Sequence, residues 1–141
     1  MFYYPFQNRF LLMEFQIPLD LKKQKEFIVE KQYLATFLGS GSVEVLSTPS
    51  MILFMEMVSR IMMDEVLPES HTTVGTEVCI KHLNACPVDS KVIVISSLKE
   101  QKGKRLTFNV DAWVNDKKMG EGTHERAIID KNKFKERVLT K

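Results

Sequence analysis

The chain has 141 residues and a mass of 16.3 kDa, a length that one hydrophobic core can organise, and at 44% hydrophobic and 27% charged it is too apolar for a disordered protein. Twenty Lys and Arg against eighteen Asp and Glu leave a formal charge of +2, too small and too dispersed to suit a nucleic acid as partner. Two cysteines, Cys79 and Cys86, with no Cys/His cluster at metal spacing, argue for reduced thiols and against a zinc site, and no metal or redox cofactor is expected.

Residues 1–12 are aromatic but join no periodic pattern, and Met13 opens MEFQIPLDL, itself a reasonable amino terminus. We therefore read 1–12 as an extension and 13–141 as one domain. Pro5 and Arg9 interrupt the opening and no small-residue cleavage site follows, which argues against a secretory signal and for a cytoplasmic protein. The longest mostly apolar stretch, 49–63, carries Glu56 and Arg60, so no membrane-spanning helix is expected.

The run EFIVEK from Glu26 and the run VEVLST over 43–48 predict two strands, with a turn or short helix over 31–38 and a flexible break at Gly39-Ser40-Gly41-Ser42. Thr48-Pro49 predicts a helix start, because a Thr hydroxyl can satisfy an orphan amide and proline is pre-set for the first helical position. The helix is expected over about 49–66, ended by Pro68 and buried on nearly all sides, since its apolar residues cover most of the circumference. Beyond Ser70 the pattern predicts strands only. Val74, Val78 and Ile80 share a parity with His82; VIVISSL over 92–98 is near-continuous; Leu106 to Val114 alternates; and a last strand runs over about 118–129. Turns fall at 101–104 and 115–116, and KNKFKERVLTK reads as a solvated terminal turn or short helix. One long helix followed by four meandering strands is α+β, a curved antiparallel sheet wrapped around a buried helix, the arrangement of the hotdog fold.

Three residues stand out chemically. Glu56 is the lone charge between Pro49 and Ser59, where a carboxylate must be paired or used; the bland alternative is an i,i+4 pair with Arg60. Thr48 lies eight residues earlier, about 80° away around the helix, and can share a site with Glu56 or serve only as a cap. His82 points to the apolar face of its strand, as a catalyst or as a satisfied core histidine. In the last strand Gly120, Gly122, His124 and Arg126 share one face, which spacing alone leaves as a solvated strand end.

Together GSGSVEVLSTPSMILFME (39–56), TVGTEVCIKHLNACPV (73–88) and GEGTHERAIID (120–130) resemble the hotdog thioesterases of the fluoroacetyl-CoA thioesterase type. The resemblance implies an acyl-CoA thioesterase with Thr48, Glu56 and His82 as catalytic group and Gly75 and Arg126 as substrate contacts, Arg126 at a coenzyme A phosphate or the pantetheine arm. It also implies a homodimer with sites at the interface, and leaves a tetramer open. Gly39 to Ser42 offers no aromatic lid, so fluoroacetyl specificity is not carried over. The alternatives are a non-catalytic acyl-CoA-binding hotdog, acting as sensor or partner subunit, and a hotdog acyl-CoA hydratase. The hydratase is weaker, because that pattern sets Asp and His close together after a strand.

Overall fold

The computed structural model describes residues 15–140. The expected extension at 1–12 and the start at Met13 lie outside them. Five antiparallel strands form one sheet: β1 (Lys22–Ile28), β2 (His71–His82), β3 (Lys91–Lys102), β4 (Arg105–Val114) and β5 (Lys117–Asp130). Their spatial order is β1-β3-β4-β5-β2, so the chain leaves β1 at one edge and returns as β2 at the other. Between them it forms a short helical turn at Lys31–Tyr33, α1 (Ala35–Leu38) and the long α2 (Thr48–Asp64); α3 (Lys131–Leu139) closes the chain.

Alternation decides which face of the sheet meets α2. Val92, Val94 and Leu98 of β3 and Leu106, Phe108, Val110 and Ala112 of β4 turn one way and are buried against Met51, Phe54, Met55, Val58, Met62 and Met63 of α2. Phe54 stacks on Phe27 at 4.3 Å and takes Tyr33 edge-on at 4.8 Å, which ties β1 and the short helical turn to the helix. This is the α+β hotdog arrangement expected from the pattern. The turns at Gly103 and Asn115 also fall where the sequence places them, both with positive φ.

Four local expectations are corrected. Residues 43–48 do not add a strand to the sheet. The segment is satisfied piecemeal, with the Leu46 amide donating to the Cys86 carbonyl at 2.8 Å, the Ala35 amide to Val45 at 2.9 Å and the Ser47 amide to Tyr33 at 2.9 Å. The cap of α2 is Ser47, whose hydroxyl accepts from the Ser50 amide at 3.1 Å, so Thr48 is the first helical residue and its hydroxyl is released for other use. Among the described residues the helix is covered by the sheet on one side; Leu53 and Arg60 are exposed and Glu56 and Met57 half-buried. Finally, Val74 does not share a face with Val78, Ile80 and His82. The register of β2 against β5 shifts between Gly75 and Glu77, and the extra residue flips the parity, so Thr73 and Gly75 are on the helix side before the bulge and Val78 and Ile80 after it.

Candidate active site

Two groups of polar side chains lie along α2. The first is at its start. Thr48 Oγ1 is 2.7 Å from His82 Nδ1, a pairing made possible because Ser47 has taken over the capping of the helix. Both residues line an open pocket of about 420 Å³ together with Ala35, Ser40, Leu46, Pro49, Leu83 and Asn84, within the size range of small-molecule sites. His82 Nε2 is buried without a hydrogen-bond partner among the described residues, the kind of unmet polar atom that calls for an explanation. Burial pushes the His82 imidazole below the usual histidine range, and a backbone interaction with Asn84 offsets part of that.

The second group is one helical face further along. Glu56 does not pair with Arg60, which bonds Asp64 instead at 2.9 Å. Its Oε2 faces Arg126 Nη1 at 3.7 Å and His124 Nε2 at 3.9 Å, beyond hydrogen-bonding reach of either, and the side chain remains 40% exposed. Gly75 forms the wall beside it: a Cβ there would lie 2.6 Å from Glu56 Oε2.

Arg126 and His124 are not a solvated strand end. They are 6% and 1% exposed. The guanidinium donates from Nε to Thr73 Oγ1 at 2.7 Å, from Nη2 to the Thr73 carbonyl at 3.0 Å and from Nη1 to His124 Nε2 at 3.0 Å. Desolvation lowers the pKa of both, and the neighbouring Arg126 charge lowers that of His124 further, against the Glu77 carbonyl and Glu56, which raise it. Spacing places His124 on one face with Arg126 but assigns it no role, and it does not single out Thr73. Only the parity shared with Arg126 could have pointed to the histidine, and nothing local marks the threonine.

The structure thus brings Thr48 to His82 and Glu56 to Gly75 and Arg126. Within one chain it does not bring the two groups together. Eight residues separate Thr48 from Glu56, about 12 Å along the helix, and Glu56 is absent from the residues lining the Thr48 cavity.

Two expectations follow from this geometry. Gly75→Ala should leave the fold intact but push the Glu56 carboxylate aside, lowering kcat on any substrate that needs it about tenfold or more, measured with circular dichroism as the control. Stability should also depend on pH. His82 and His124 both titrate below their usual 6.5 when folded, so the unfolded chain binds more protons below that value. Their contribution is complete above pH 6.5 and is lost as pH falls through the folded-state values. Denaturant midpoints should therefore be flat just above neutrality and fall on acidification from about pH 6.5. A midpoint unchanged between pH 7 and 5.5 would contradict both assignments.

A long helix laid on a five-stranded antiparallel sheet is the hotdog architecture, and here a hydroxyl and a carboxylate of α2 face imidazole and guanidinium groups of β2 and β5. Residues 29–132 match the family model of the fluoroacetyl-CoA-specific thioesterase, and the chain belongs to that family. The fluoroacetyl-CoA thioesterase of Streptantibioticus cattleyicolor is 35% identical over 98 residues, 70% of either chain. A solved structure of a fluoroacetyl-CoA thioesterase superposes with a TM-score of 0.83 at 28% identity, covering 89% of this chain and 98% of the other. A thioesterase superfamily member from Thermus thermophilus reaches 0.77 at 25% identity, covering 90% and 99%. A hot-dog-like protein from Thermanaerovibrio acidaminovorans, 19% identical with a TM-score of 0.80 over 87% and 91% of the chains, shares the fold.

Proposed function

We propose that this protein hydrolyses short or medium acyl-CoA thioesters, with Thr48, Glu56 and His82 as the catalytic group and Gly75 and Arg126 against the substrate. The observation that carries this is the 2.7 Å pair of Thr48 Oγ1 and His82 Nδ1 beside a cavity of about 420 Å³. Solved structures of the fluoroacetyl-CoA thioesterase include complexes with fluoroacetate and CoA and with acetyl-CoA, which supports a CoA thioester as the substrate class.

Glu56 takes a proton from water as the oxygen adds to the thioester carbonyl, the tetrahedral intermediate collapses by breaking the C–S bond, and the proton held on Glu56 passes to the departing thiolate, releasing acid and CoA. Pro49 has no amide hydrogen and the Ser50 amide is held by Ser47, which leaves the Thr48 amide as the first-turn donor for the developing oxyanion. Thr48 and His82 orient the reacting groups and assist proton transfer. Three of the five guanidinium N–H groups of Arg126 are engaged, and the side chain is recessed. It therefore suits the thioester end of the substrate rather than a surface phosphate.

The separation of Glu56 from the Thr48/His82 pair is best met by a second copy. β2 is a sheet edge, and its Val78 is exposed. A two-fold axis there makes two equivalent sites, each combining Thr48 and His82 of one protomer with Glu56 of the other. The test is free-thiol release from acetyl- to octanoyl-CoA by the wild type, followed by remixing of separately inactive Glu56→Gln and His82→Ala chains. Turnover by the wild type and recovery of about a quarter of it on random remixing are expected. Saturable binding without thiol release would instead make the chain a binding module, and turnover without recovery would put each site within one chain.

A further inference from the structure

We propose that His124 is a positioning residue: a neutral imidazole, protonated at Nδ1, that holds Arg126 beside the Glu56 carboxylate. Its contacts admit one arrangement of protons. Nδ1 is 2.8 Å from the Glu77 carbonyl, which can only accept, so Nδ1 carries the hydrogen. Nε2 is 3.0 Å from Arg126 Nη1, which can only donate, so Nε2 offers its lone pair. A second proton on this ring would remove the acceptor and place two cations in contact.

The β-bulge supplies the far anchor. The register shift between Gly75 and Glu77 lies where the Glu77 carbonyl meets the ring, and Val78 is the cross-strand partner of His124. Phe108, the cross-strand neighbour in β4, lies beside the ring at 6.3 Å between centroids. The charged groups acting on the imidazole are Arg126 of β5 and Glu56 of α2, while Arg60 and Asp64 of α2 act in turn on Arg126. β2 contributes the main-chain carbonyl of Glu77 to the contact. The imidazole thus connects a backbone irregularity in the edge strand to the guanidinium that faces the carboxylate. Thr73 fixes Nε and Nη2 of that guanidinium, and His124 settles where Nη1 points.

The role rests on Glu56 acting in the reaction, so the test has one arm that does not need activity. The chain has three histidines, and ¹⁵N-resolved NMR of the wild type assigns the tautomer and titration of each. For His124 the Nδ1–H form should persist, neutral, to a pH below 6.5, the usual value. An Nε2–H tautomer, or titration at the usual value, overturns the proposal whether or not thioesters are hydrolysed. In the kinetic arm His124→Gln places an amide oxygen where Nε2 stood, an acceptor that does not titrate, and His124→Leu removes it. The glutamine variant should keep kcat within about threefold of wild type, while the leucine variant loses about tenfold or more in kcat with KM little changed. Equal losses in two folded variants, or no loss in either, also overturn it.

Discussion

Glu56→Gln is expected to lower kcat for acyl-CoA hydrolysis by about 10²–10⁴-fold while the protein remains folded. The substitution keeps the shape and removes the charge. Among the described residues no group donates a hydrogen bond to this carboxylate, the closest cation is 3.7 Å away, and the side chain is 40% exposed. A partly solvated pair of that kind contributes little to stability, about 0–1 kcal/mol. Activity and stability therefore separate at this residue, as they do at a group kept for chemistry. Free-thiol release and thermal unfolding measured on the same preparation check the split. A folded glutamine variant with wild-type kcat would remove Glu56 from the mechanism.

The opposite balance is expected at Arg126. Arg126→Leu deletes three hydrogen bonds and leaves the Thr73 carbonyl, the Thr73 hydroxyl and His124 Nε2 buried without their donors. Each orphaned acceptor carries a desolvation penalty, and Glu56 loses its facing cation, for a total of about 2–4 kcal/mol of folding stability. Activity should fall as well, because Glu56 then sits beside an apolar side chain. Arg126→Lys keeps the charge but not the planar fork that reaches Thr73 and His124 together, so it should recover only a minor part of the stability. Denaturant unfolding measures this directly. A loss in the leucine variant below about 1 kcal/mol would mean that the buried hydrogen bonds are not what holds β2 to β5 here.

Much of this was legible in the sequence, for reasons that can be named. The period of the apolar residues gives one long helix and the strands beyond it, since a strand with one wet face must alternate and Leu106 to Val114 does. Pro49 and Pro68 bracket α2, and Gly103 and Asn115 take positive φ at their turns. Glu56 is conspicuous because a charge within an apolar helical run demands a partner or a use. The motifs around Thr48, His82 and Arg126 carried the family resemblance, which the matched residues 29–132 bear out as membership.

Other features were decided by contacts between residues distant in sequence. VEVLST has the composition of a strand, yet its backbone groups are taken up by Tyr33, Ala35 and Cys86 before they can join the sheet. Ser47 and Thr48 are both competent caps, and only the position of His82, 34 residues away, shows why the serine caps and the threonine hydroxyl points elsewhere. The bulge after Gly75 reverses the parity of β2, so alternation read straight through from Val74 goes wrong. Arg60 was the local partner for Glu56 at i,i+4, but Asp64 claims it, while Arg126 approaches from a strand 70 residues on. Composition and period determine which elements form, because both act through neighbours along the chain. Which polar side chains meet is settled only when the sheet closes on the helix, since burial there leaves each donor and acceptor few partners to choose from.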